Sequence, residues 1–91
     1  MLKTFRIYIT GTVQGVFFRD YIKEKADSLH VRGYVRNLED KRVEVVAEGK
    51  NENVKVLLEY CKNGSPHSKI KQVDFEEIRH QDFKDFKVIK I

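Results

Sequence analysis

The residues best suited to chemistry lie in the stretch ITGTVQGVFFR, residues 9–19, and the one that stands out is Arg19. Apolar residues recur at helical spacing from Phe18 onward, which puts Arg19 in the first turn of a helix. A helix N-terminus already presents unpaired N–H groups and about half a positive charge. A guanidinium there costs a few tenths to about 1 kcal/mol, which Asp20 offsets only in part. The conflict disappears if the loop holds an anion. Gly11 and Gly15 permit close backbone approach and positive φ, so that several N–H groups can converge on one point. The planar fork of arginine can then hold two oxyanion oxygens at once, which a lysine cannot do. Glycine-rich turns alone do not separate this reading from an ordinary connector carrying a surface arginine.

Other reactive residue types point to less. His30, His67 and His80 lack metal-ligand spacing, so no metal site is expected. Asp20 and Glu24 lie four apart on a helix face among Lys23 and Lys25, the pattern of a salt-bridged surface rather than an acid–base pair. Cys61 falls on an apolar stripe and reads as core rather than nucleophile. Tyr8 and Tyr34 either pack near the loop or cover the sheet.

The elements that must position the loop are legible from periodicity. Phe5, Ile7 and Ile9 alternate with Arg6 and Tyr8, predicting a strand with one buried face. Phe18, Ile22, Ala26 and Leu29 predict an amphipathic helix, which Gly33 lies beyond. Residues 34–38 and 42–48 read as a hairpin around Glu39–Lys41, with Val43, Val45 and Ala47 on one face. Asn51 reads as the N-cap of a second helix, striped by Val54, Leu57, Leu58 and Cys61 and stopped by NGSP at 63–66. Residues 69–78 and 84–91 read as two more strands, with Val73, Phe75, Phe86 and Val88 facing inward. Two strand–helix–strand units predict an α+β, ferredoxin-like sandwich. It is a βαββαβ chain plus a C-terminal strand, with four to five strands in an antiparallel sheet and both helices on one face. Right-handed crossovers make strands 1 and 3 central neighbours. The C-terminal ends of strands 1 and 2 then meet at one sheet edge, bringing the loop at 11–19 to Asn37.

The whole chain bounds the function. Its 91 residues suffice for one domain, 1–91, burying roughly 60–65% of the unfolded surface. At 41% hydrophobic and 35% charged it is too apolar for disorder. A single cysteine implies no disulfide and no oxidising compartment. The N-terminus is too charged for a signal peptide, and no apolar run approaches the ~20 residues of a membrane span. A cytoplasmic protein with no membrane partner is expected, and a monomer, since no extended apolar patch is evident. The net charge of +4 suits an anionic partner, either a phosphorylated small molecule or a nucleic acid.

Residues 9–19 resemble the first signature of the acylphosphatase family: aliphatic, any, Gly, any, Val-Gln-Gly-Val, any, Phe or Met, Arg. Every specified position matches. GYVRN at 33–37 resembles the start of the second signature. That signature then asks for Gly, Val and Gly where this chain has Lys41, Val43 and Gly49. The resemblance extends to length, element order, GSP at 64–66 and the closing FKV. Lys41 is the departure: if its turn needs positive φ, a lysine costs about 1 kcal/mol or changes the turn type.

The resemblance implies hydrolysis of the carboxyl–phosphate bond of small acyl phosphates, without a metal or other cofactor. It implies that amides of Gln14, Gly15, Val16, Phe17, Phe18 and Arg19 cradle the phosphate and that the Arg19 side chain binds its oxygens. Asn37 would orient the attacking water. The side chain of Gln14 either joins the cradle or is structural. Inorganic phosphate or sulfate would compete for the same loop. The rival readings are an RNA-recognition-like nucleic-acid binder and a regulatory ferredoxin-like module. RGYV at 32–35 resembles an RNA-binding aromatic signature, but Val35 replaces its small residue, the later aromatic is missing, and the segment lies on the wrong strand. Lys84, Lys87 and Lys90 do not form one stripe, because period-2 geometry sends Lys87 to the opposite face. No specific nucleic-acid partner is therefore expected.

Overall fold

In the computed structural model, residues 1–15 and 17–90 are described. They form β1 (Leu2–Thr12), α1 (Phe18–Ser28), β2 (Arg32–Asn37), β3 (Val43–Lys50), α2 (Asn51–Asn63), β4 (Lys69–Glu77) and β5 (Phe86–Ile89). The sheet order is β4-β1-β3-β2-β5. Each neighbouring pair among the first four strands is antiparallel, with β1 and β3 adjacent inside the sheet as expected. β5 joins β2 in parallel, so the complete sheet is mixed. That parallel pairing brings the end of β5 to the same sheet edge as Asn37.

Strand alternation sorts the side chains into two faces. Ile7, Ile9, Val35, Val43, Val45 and Ala47 pack against Phe18, Ile22 and Ala26 of α1 and Val54, Leu57 and Cys61 of α2. The periodicity at Phe18 and Val54 thus reports the two buried helix stripes. Burial pushes the Cys61 thiol up to about 12, consistent with a core residue. One cap differs from expectation. Lys50, not Asn51, is the N-cap of α2. The Asn51 amide donates to the Met1 carbonyl at 3.0 Å, extending the β1–β3 ladder directly into the helix. With its backbone so held, Asn51 begins the helix and cannot cap it.

The helix-free face buries two carboxylates on β3. Glu44 accepts hydrogen bonds from Arg36 Nε at 2.7 Å and the Tyr34 hydroxyl at 3.2 Å, and Arg6 Nε lies 3.7 Å away. Glu48 pins the connection from β4 to β5 across the sheet. It accepts from the Thr4 hydroxyl (2.6 Å) and the amides of Gln81 (2.6 Å) and Phe83 (2.9 Å), with His80 Nδ1 at 3.1 Å. Burial works to raise the Glu48 pKa, but these donors outweigh it and hold it below its ordinary 4.5. A lowered folded pKa contributes stability above the unfolded value, lost as pH falls through the folded one. Glu48→Gln is therefore expected to cost about 1.5–3 kcal/mol at neutral pH, the scale of hydrogen bonds to a charge. The gap between the variants should close as pH falls below 4.5. Denaturant melts at several pH values measure this; a pH-independent gap would contradict it.

The β2–β3 hairpin closes through Leu38 N–H to Arg42 C=O at 2.8 Å and Lys41 N–H to Leu38 C=O at 3.2 Å. Lys41 sits at φ 78°, the left-handed position of a three-residue hairpin loop. The glycine that the family signature asks for would relieve this strain. Glycine also enlarges the unfolded ensemble, which recovers part of the gain for that state. Lys41→Gly is expected to stabilise the protein by a net ~0.5–1 kcal/mol, raising Tm by about 3–6 °C. An unchanged or lower Tm in a thermal scan would show that the lysine is not strained.

Candidate functional site

β1 ends at Thr12 and α1 starts at Phe18, and the chain passes between them at the sheet edge. Val13 is buried and anchors the turn from below. Gly15 has φ 76°, and nothing lies within 4 Å of where a Cβ would sit. Glycine is needed there for its backbone conformation, not for space. Gly11 serves a different purpose from the one its spacing suggested. It lies at the shift in the β1–β4 register, against Ile70, where a Cβ would run into the Lys69 carbonyl. It allows strand pairing rather than ligand approach.

Phe17, at φ 59°, is the N-cap of α1, and no side chain caps the helix. Its own ring is exposed, whereas that of Phe18 is buried in the core. Phe18 can thus serve the loop only through its backbone. Val16 lies outside the described residues. Gly15, Phe17, Phe18, Arg19 and Asp20 line a cavity of about 230 Å³ together with Val13 and Lys90.

The Gln14 side chain is resolved into a structural role. Its Nε2 donates to the carbonyls of Leu38 (2.9 Å) and Arg42 (3.0 Å). It ties the loop to the β2–β3 hairpin, beside Asn37. Arg19 Nη1 donates to the Ile89 carbonyl at 3.3 Å. Ile89 pairs with Arg36, so Arg19 is anchored one residue from Asn37 across the β2–β5 ladder. Only one of the five guanidinium N–H groups is used in that contact. Asn37 does not line the cavity itself. By strand alternation it shares the helix-side face with Val35, at the end of β2. Its Oδ1 is buried and has no hydrogen-bond partner among the described residues. An unpartnered buried acceptor is costly and rare. Arg19 and Asn37 thus reach one sheet edge from different elements.

Lys90 was not singled out for this cavity from the sequence. The signal was present: period two places it on the same side as Phe86 and Val88, which pack toward the core. The carbonyls of Leu38, Arg42 and Ile89 that hold Gln14 and Arg19 leave no sequence signal at all. Tyr8 and Tyr34 belong to the helix-free face. Arg42 lies over the Tyr8 ring at 4.6 Å, and Tyr34 packs edge-on to Phe83. That face is unlike an RNA platform, since Arg6 and Arg36 are engaged by Glu44 and the 78–85 connection is pinned to Glu48.

A family model described as Acylphosphatase matches residues 5–88. An acylphosphatase of Rubrobacter xylanophilus is 49% identical over 82% of this chain and 68% of its own length. One from Syntrophus aciditrophicus is 40% identical over 98% of this chain and 94% of its own. The solved structure of an acylphosphatase from Coxiella burnetii superimposes with a TM-score of 0.93. It covers 97% of this chain and 93% of that one, at 36% identity.

Proposed function

The chain belongs to the acylphosphatase family, and from that premise we propose how its own residues carry the reaction. The enzyme is a hydrolase of acyl phosphates, acting on a small-molecule substrate. The phosphoryl group sits on the amides of residues 14–19, with the Arg19 side chain on its oxygens. Asn37 Oδ1 accepts a hydrogen bond from the attacking water and aims its oxygen at phosphorus. The observation that carries this assignment is the unpartnered Asn37 Oδ1 one ladder position from the Arg19 anchor.

The chemistry needs little else. The water oxygen bonds to phosphorus as the bond between phosphorus and the acyl oxygen breaks. The acyl oxygen leaves with the electron pair as a carboxylate, and both water protons end on dihydrogen phosphate. A carboxylate leaves readily, so no strong general acid is required. Positioning and charge stabilisation dominate phosphoryl transfer, and the loop amides and guanidinium offer both. Gln14 contributes by holding the loop against the Asn37 hairpin, while its side chain is occupied with Leu38 and Arg42.

The reading includes one domain over 1–91, acting as a cytoplasmic monomer without a metal or other cofactor, and no specific nucleic-acid partner. No helix among the described residues is long and apolar enough to cross a membrane. Phosphate release from acetyl phosphate, with EDTA present, tests the activity. Inorganic phosphate or sulfate is expected to inhibit competitively and to raise Tm. At a hundred times its Kd, a ligand stabilises by about 2.7 kcal/mol. An anion that neither inhibits nor stabilises at tens of millimolar (order of magnitude) would sink the loop as a phosphate cradle.

A further inference from the structure

We propose that Lys90 is a specificity-determining residue that favours acyl phosphates whose acyl part carries a second negative charge, such as a terminal carboxylate. The inference rests on the acylphosphatase reading of this site. Lys90 lines the same cavity as Gly15, Phe17 and Arg19 but lies just past the end of β5, the residue after the Arg19 anchor at Ile89. It forms no ion pair or hydrogen bond with another described residue, Asp20 of the same cavity included, so its charge is left available to a ligand. The phosphoryl oxygens are already served by the loop amides and Arg19. The acyl group must extend away from them, toward the cavity wall and solvent. Two charged side chains besides Arg19 line that wall, Lys90 and Asp20. Asp20 repels an anionic acyl chain and Lys90 attracts it, so a second carboxylate is directed to the β5 side. A neutral acyl chain gains nothing from either group.

The test compares succinyl phosphate with butanoyl phosphate, which has the same four-carbon chain without the terminal carboxylate. Acetyl phosphate reports the basal reaction. Lys90→Gln is expected to lower the succinyl-to-butanoyl ratio of kcat/KM about two- to five-fold, the range for a solvent-exposed ion pair. The change should fall in KM, with kcat for succinyl phosphate retained. Lys90→Glu should lower the ratio further, Lys90→Arg should retain it, and Asp20→Asn should raise it. The wild-type ratio should shrink at about 0.5 M salt, where screening extends over only a few ångströms. A ratio unmoved in both Lys90→Gln and Lys90→Glu, in enzyme that still turns over acetyl phosphate, overturns the role of Lys90 and leaves the function standing. A folded wild type that hydrolyses none of the three overturns the acylphosphatase reading, and this inference with it.

Discussion

Arg19→Lys is expected to lose about 10²–10³ in kcat/KM toward acetyl phosphate, although the charge is kept. Lysine supplies a point charge on a flexible stem, whereas the guanidinium holds two phosphoryl oxygens in a fixed fork. The lysine variant should also lose most thermal protection by phosphate. A purely structural role predicts something different. Among the described residues, the Arg19 side chain makes one hydrogen bond, at 3.3 Å to the Ile89 carbonyl, at the long end of the usual range. Losing it costs roughly 1 kcal/mol of stability at most, visible as a small drop in Tm. A rate loss of 10²–10³ corresponds to about 2.7–4 kcal/mol of transition-state stabilisation, too much for that contact to explain. Steady-state kinetics beside a thermal melt separates the two. Near-wild-type turnover in Arg19→Lys would show that charge alone suffices and that no clamp operates.

The sequence made the fold legible because each buried stripe is clean. Ile7 and Ile9 alternate with polar neighbours, and Phe18, Ile22 and Ala26 keep helical spacing, so element types and order follow from period alone. The parallel direction of β5 does not follow. It depends on the 78–85 connection crossing the sheet, and that crossing depends on backbone amides of Gln81 and Phe83 reaching Glu48. A main-chain donor has no letter in the sequence. The same limit applies at the site. Arg19 stood out because a cation at a helix start contradicts local electrostatics. Asn37 did not stand out by local physics, since asparagine beside a hairpin is an ordinary turn former. Only the family resemblance marked it, and the structure adds a buried acceptor left without a protein partner. Gln14 remained ambiguous because its partners, the carbonyls of Leu38 and Arg42, are again backbone. Lys41 shows the opposite case. One departure from a signature left two outcomes, a strained left-handed lysine or a different turn type, and the structure shows the first, because the turn geometry is fixed by the hairpin rather than by the residue.

Asn37→Ala should separate catalysis from stability more sharply than any other single change. Removing a positioned hydrogen-bonding group is expected to lower kcat about 10²–10³-fold. Stability should move the other way or not at all. A buried acceptor without a partner costs about 1–3 kcal/mol, so deleting Oδ1 removes a penalty along with some packing. Most buried polar residues behave oppositely, since truncating them abandons a partner, whereas here Oδ1 has none among the described residues to abandon. Phosphate inhibition distinguishes what Asn37 holds. If it orients the water, competitive inhibition by inorganic phosphate should persist in Asn37→Ala with its constant changed less than about threefold, because the loop amides and Arg19 remain. If that constant weakens in step with kcat, Asn37 is part of the phosphate cradle and the water must be aimed by another group. Asn37→Asp sharpens the choice. It keeps an acceptor of the same shape but sets a negative charge near the phosphoryl oxygens, so it should lose phosphate affinity even where Asn37→Ala does not. A fully active Asn37→Ala would remove the residue from the mechanism and leave its unpartnered oxygen without a catalytic reason.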